Sequence, residues 1–330
     1  CDVNGNASTG DSVHPIDISA DGRYVLFTLD EYGAVKLDPN APDNQPNQTG
    51  PLYRKDMVSG EVLRFDTLSD GSYVEPAWGV ASSAMSADGN FVVFEHSNTQ
   101  YAGEAKVEGG HSHVYWKNLT TGEIRVVDIK PDGSPSAMKS GSGGYGLSIS
   151  SDGQLVAFLS ESEALPSTGL PGQSSAGFVS DMIPDEIISQ YSSIFLRDMG
   201  KDGEQAINLM NVSSSGEPAD DNSYGSSVAL SGDGNFIAFS SAASNLVNGV
   251  SGGPHVFVKN LITGELVVVS SGNIASAETP GGPSGGPSHV TPNSLSQYGR
   301  YLAFESSASN LVEQDTNGKT DVFVANLETG

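Results

Sequence analysis

Six histidines carry the imidazoles of this chain: His14, His96, His111, His113, His255 and His289. Neutral imidazole is the commonest protein ligand for a divalent metal, and its charge changes near neutral pH. No two of the six have a helical metal-ligand spacing, so any centre depends on the fold to gather them. His14 and His289 lie towards opposite ends of the chain and form a divalent-metal candidate if the two ends meet. A second candidate is Glu-Gln-Asp-Thr-Asn-Gly-Lys-Thr-Asp, in which Asp315, Asn317 and Asp321 place oxygens at positions 1, 3 and 7 and Gly318 permits a bend. Hard oxygen ligands at alternating positions suit calcium, the one cofactor the sequence suggests. Lys319 stands where a further acid is expected, so this is not an EF-hand, and the competing reading is an Asx turn entering a strand.

Two short motifs are discounted. Gly141–Gly146 matches G-x-G-x-x-G but precedes a strand, whereas a dinucleotide fingerprint follows a strand and opens a helix. Gly282–Gly286 matches G-x-S-x-G inside a Gly/Pro/Ser stretch, without the strand and helix of a nucleophile elbow. No catalytic residue is assigned.

The elements that must position these groups are read from composition and repetition. The 330 residues carry 15 basic and 40 acidic side chains, a net charge of −25, which excludes sequence-independent binding to nucleic acid. Glycine, at 40 residues, exceeds the usual share, as a turn-rich chain requires. No apolar run approaches the length of a transmembrane helix. The sole cysteine is Cys1, so no disulfide forms within the chain. Its position resembles the lipid-bearing end of a mature bacterial lipoprotein, where lipid would be the one membrane attachment, and equally fits the first residue of a fragment of a longer chain.

Five segments repeat: ISADGRYVLF (18–27), MSADGNFVVF (85–94), ISSDGQLVAF (149–158), LSGDGNFIAF (230–239) and LSQYGRYLAF (295–304). Their glycines, Gly22, Gly89, Gly153, Gly234 and Gly299, are 67, 64, 81 and 65 residues apart. A second block follows each, as in HVYWKNLTTGE (113–123), with period-two alternation and a hairpin glycine. A further strand then appears in VLRFDTL (62–68), IRVVDI (124–129), AINLMN (206–211) and LVVVSS (266–271). With a short strand ahead of each Asp-Gly turn this makes four antiparallel strands per unit, the blade of a β-propeller. The units span about 11–68, 79–129, 142–211, 223–271 and 288–330 of one domain, the last without its outer strand. The Phe closing each second strand is expected between blades. A helical turn is expected near Pro184–Gln190.

The pattern S-x-D-G-x-[YF]-[VLI]-x-F, with SSAASNLV (240–247), SSASNLV (306–312) and DTNGKTDVFVANLETG, resembles the WD40-like repeats of TolB-type β-propellers over nearly the whole chain. That resemblance implies a propeller in an extracytoplasmic bacterial setting, periplasm or cell surface. It implies no activity, because such propellers serve as scaffolds, receptors and enzymes.

Chain reversal at every turn sorts the long connections onto one face of the disc and the short turns onto the other. Loops on a rigid scaffold carry binding, so the long-loop face, with Trp78, His96, His111, His113 and His255, is the expected interaction face. The leading expectation is a non-catalytic extracytoplasmic scaffold that binds a protein partner or self-assembles through this face or an open edge strand. The alternative is a metal-assisted hydrolase or lyase on carbohydrate or peptide, with a histidine-lined funnel.

Overall fold

The computed structural model describes residues 12–30, 37, 51–74, 82–103, 112–129, 146–160, 192–201, 206–250, 253–271, 275–276, 287–312 and 315–329. Their strands form five antiparallel sheets arranged as the blades of a β-propeller. Blade I holds β1 (Ser12–Ile18), β2 (Tyr24–Asp30), β3 (Leu52–Asp56) and β4 (Val62–Arg64). Blade II holds β5 (Ser83–Met85), β6 (Phe91–His96), β7 (His113–Asn118) and β8 (Ile124–Val126). Blade III is β9 (Ser148–Ile149), β10 (Leu155–Ser160), β11 (Ser193–Asp198) and β12 (Ile207–Leu209). Blade IV has β13 (Ser223–Leu230), β14 (Phe236–Ser241), β15 (His255–Asn260) and β16 (Leu266–Val268), then a fifth strand, β17 (Ala275–Ser276), which the repeats do not announce. Blade V has three: β18 (Ser288–His289), β19 (Tyr301–Ser306) and β20 (Asp321–Asn326).

The repeated turn explains the blades. Ser19 Oγ donates to Asp21 Oδ1 (2.7 Å) and accepts the Tyr24 amide (2.8 Å), closing the chain back into β2. Ser86, Ser150 and Ser231 do the same with Asp88, Asp152 and Asp233. Ser296 keeps the amide bond to Tyr301, although Tyr298 replaces the acid. Each turn glycine lies at φ between 64° and 74°, a region that side chains with a Cβ rarely adopt. At the centre the turns are linked by backbone bonds, Ala20 to Ala87, Ala87 to Ser151, Ser151 to Gly232 and Asp233 to Gln297.

Within every blade the second-strand Phe pairs with an aromatic of the third strand: Phe27–Tyr53, Phe94–Tyr115, Phe158–Phe195, Phe239–Phe257 and Phe304–Phe323, with centroids 5.5–5.9 Å apart. In blades II to V these pairs face the preceding blade, where four apolar clusters fill the successive seams. The expectation that these Phe residues pack between blades holds for Phe94, Phe158, Phe239 and Phe304, whereas among the described residues Phe27 packs with Tyr53, Val62 and Leu37 and with no other blade; the aromatic partner on the same blade adds ring contact to burial. Pro184–Gln190 lies outside the described residues.

Candidate functional site

The register places one residue pair at the loop-side end of the central strands in blades II to V: His96 opposite His113, Ser160 opposite Ser193, Ser241 opposite His255 and Ser306 opposite Asp321. The histidines of β6, β7 and β15 therefore stand where the repeats put them. All three are buried, so they support the loop face from beneath instead of presenting it to a partner. Trp78, His111 and Cys1 fall outside the described residues.

Blade II concentrates the ionisable groups. Asp128 Oδ2 lies 2.8 Å from His113 Nδ1, and Asp128 Oδ1 accepts the Val114 amide at 3.0 Å. Burial pushes the Asp128 carboxyl up, against the pull of His113. Among the described residues, the other imidazole nitrogen, His113 Nε2, is buried without a hydrogen-bond partner, as is Glu95 Oε2 one residue before His96. Burial raises the Glu95 pKa to about 7, opposed by a hydrogen bond from Ser112 and reinforced by the charge of Asp128. His96 is driven the other way, to about 4, first by burial and then by the Arg64 charge. Its Nδ1 accepts the Asn98 amide at 2.9 Å, and Tyr101, in a 3-10 turn at Thr99–Ala102, closes over its ring edge-on at 5.1 Å.

The sequence reading missed Asp128, although a signal exists. A polar residue stands two positions past each outer strand, after an apolar one: Asp66, Asp128, Asn211 and Ser270. Each accepts an amide at the start of the third strand, as Asp66 does from Leu52, Asn211 from Ile194 (3.1 Å) and Ser270 from Val256 (2.9 Å). The Asp128–His113 dyad is thus a charged elaboration of a structural cap present in four blades. In blade IV the Ser270 hydroxyl stands 3.5 Å from His255 Nδ1. The arrangement in blade II can hold and move a proton. Among the described residues no group of three His, Cys, Asp or Glu side chains is placed to hold a metal ion.

The remaining candidates sit apart from this cluster. His14 is in β1 opposite Thr28, and His289 is in β18 opposite Glu305, on the inner strands of the first and last blades. In the 315–321 loop, Asn317 Nδ2 donates to both carboxylate oxygens of Asp321 (3.0 and 2.9 Å) while Asn317 Oδ1 accepts the Lys319 amide (2.6 Å). Asp315 accepts the Asn317 amide at 3.4 Å. This is the geometry of an Asx turn leading into β20.

No protein-family model and no curated protein matches the chain. Among solved structures it is similar to TolB from Acinetobacter baumannii, with 13% identity and a TM-score of 0.42 over 92% of this chain. It is also similar to a putative TolB from Agrobacterium tumefaciens, with 15% identity and a TM-score of 0.44, over 98% of this chain and 79% of that one. An oligogalacturonate lyase in complex with manganese shares 11% identity at a TM-score of 0.42, over 97% of this chain and 65% of that chain. The chain spans 54% of the length of the A. baumannii protein. The β-propeller assignment rests on the strand pairing above.

Proposed function

We propose that this chain is a non-catalytic β-propeller scaffold, displayed outside the cytoplasm, that receives a protein partner on its long-loop face or its open edge strand. The observation that carries this reading is the set of five antiparallel sheets, which hold the connections of the loop side on a rigid propeller; among the described residues β20 pairs only with β19. An unpaired ladder of amides and carbonyls is a template for strand addition. The charge of −25 supports solubility and disfavours acidic partners. Among the described residues no helix is long and apolar enough to cross a membrane.

The test is site-specific photocrosslinking in cells. A crosslinker replacing Lys319, exposed at the entry to β20, is expected to trap one defined protein, while one replacing Ile262, on the short-turn side, traps none. A monomer that gives no adduct from Lys319 overturns the reading.

A further inference from the structure

An asparagine followed by glycine is the most self-reactive pair in a polypeptide, because no side chain shields the glycine amide nitrogen from the carboxamide carbon before it. The sequence holds three such pairs, Asn4–Gly5, Asn248–Gly249 and Asn317–Gly318, of which the first lies outside the described residues. The other two differ in what surrounds them. Asn248 is exposed, but its turn is closed by the Val250 amide on the Val247 carbonyl at 3.3 Å, and both valines are buried. The backbone on each side of Asn248 is therefore pinned to the core. Residues 316–320 are all exposed, and a Cβ on Gly318 would meet nothing within 4 Å. The backbone there has room to bring the two reacting atoms together.

The Asn317 side chain is held at both of its ends. Its Oδ1 accepts the Lys319 amide at 2.6 Å, while Nδ2 donates to Asp321 Oδ1 and Oδ2 at 3.0 and 2.9 Å. The first bond draws electron density from the carboxamide carbon and gives an oxyanion formed there a backbone donor. The ring it closes contains both Asn317 Cγ and Gly318 N, so attacking and attacked atoms belong to one small loop. The second contact sets a carboxylate against the nitrogen that would leave. The Asp-Gly turns compete poorly for the same chemistry. Hydrogen bonds from the Arg23 amide and Ser19 hold the Asp21 carboxyl below its usual range, and Ser72 does the same for Asp70. An ionised carboxylate is a poor electrophile, whereas a carboxamide carries no such charge.

We propose that Asn317–Gly318 is a self-modifying site, at which the folded loop converts Asn317 to aspartate or isoaspartate without an enzyme. Gly318 N attacks Asn317 Cγ and the Cγ–Nδ2 bond breaks. The proton of the Gly318 amide passes by way of the Asp321 carboxylate to the departing nitrogen, which leaves as ammonia. Water then opens the cyclic imide at either of its carbonyls, and nothing is oxidised or reduced. The product carries an oxygen where Nδ2 stood, so both bonds to Asp321 are lost. Two carboxylates then face each other at the first residue of β20, and like charges at that distance repel. The inference goes beyond the scaffold reading and does not rest on it: conversion changes the charge and the anchoring of the loop beside Lys319 in the free protein as well as in a complex.

The experiment incubates the purified chain in mildly alkaline buffer, folded and in urea, and follows the peptides that hold Asn248 and Asn317 by mass spectrometry. In urea the two pairs are expected to convert at similar rates, since each is an asparagine before a glycine. In the folded chain Asn317 is expected to convert at least about tenfold faster than Asn248, yielding an aspartate and an isoaspartate product. Asp321→Asn is expected to slow Asn317 in the folded chain and to leave its rate in urea unchanged. Equal rates at the two sites in the folded chain overturn the proposal. So does an Asn317 that converts in urea and not in the fold, because the bonds to Lys319 and Asp321 would then protect the amide. Faster conversion in Asp321→Asn overturns it as well, since the carboxylate would then restrain the side chain instead of relaying the proton. Asn317→Asp, installed directly, is expected to speed hydrogen exchange at the start of β20, and unchanged exchange there would overturn the loss of anchoring.

Discussion

Glu95 and His96 are adjacent in β6 and are tuned in opposite directions by the same burial. For Glu95 the folded value, about 7, lies above the ordinary 4.5. The protonated carboxyl is therefore the form the fold favours. Its contribution is complete below about pH 4.5 and is lost as the pH rises through about 7. For His96 the folded value, about 4, lies below 6.5, so its contribution is complete above about pH 6.5 and is lost as the pH falls through about 4. Glu95→Gln removes the first penalty alone. It is expected to raise stability by up to about 3 kcal/mol at about pH 8 and to change little at about pH 5, measured by urea unfolding at both values. Equal shifts at the two pH values would show that Glu95 ionises in the fold without cost. None of this tuning was legible in the sequence, which places His96 at a strand end. The cover comes from Tyr101, which folds back over the imidazole and donates its hydroxyl to the Asp66 carbonyl of blade I at 3.0 Å. That contact crosses a seam and leaves no local pattern.

At the scale of the element, the Ser-x-Asp-Gly turn was legible because every bond it makes is local. Serine, aspartate, glycine and the following amide all lie within a few residues, so spacing determines geometry. The cross-strand aromatic pairs were legible for the same reason, as the register follows from the turns. The short outer strands and β17 were less so, since their pairing depends on an edge and not on a repeat. The turn glycines also separate backbone conformation from blade contact. Gly22 and Gly153 share φ values of 71° and 74°, yet a methyl on Gly22 enters open space while one on Gly153 strikes the Phe91 ring. Gly22→Ala is expected to cost about 1–2 kcal/mol, from left-handed backbone strain alone. Gly153→Ala adds about 1–3 kcal/mol of overpacking in the seam between blades II and III. Guanidinium unfolding of the two variants measures the difference, and equal costs would mean that the seams do not distinguish the two positions.

For the whole molecule, sequence repetition specifies the blades and is silent about how the first meets the last, because it repeats one interface without showing where the series stops. Two of the inner seams, I–II and III–IV, join neighbouring blades through a lysine as well as apolar contacts. Lys117 Nζ donates to Phe65 O, Thr67 O and Thr67 Oγ1 of the blade before it, and Lys259 Nζ to Met210 O. In blade V, Ala325 stands in place of that lysine and packs toward blade IV, while the opposite face carries the exposed Val322 and Val324. Two repeat-equivalent substitutions separate a packed seam from an open one. Val256→Asp puts an unpaired carboxylate into the seam between blades IV and V and is expected to cost more than about 4 kcal/mol, enough to unfold a marginal domain. Val322→Asp, at the same place in the repeat, is expected to stay within about 0.5 kcal/mol of the parent, since its carboxylate remains in water. Urea midpoints of the two purified variants decide the matter. A large loss from Val322→Asp in a monomeric chain would mean that blades V and I already pack face to face, and the propeller would then be closed with five blades.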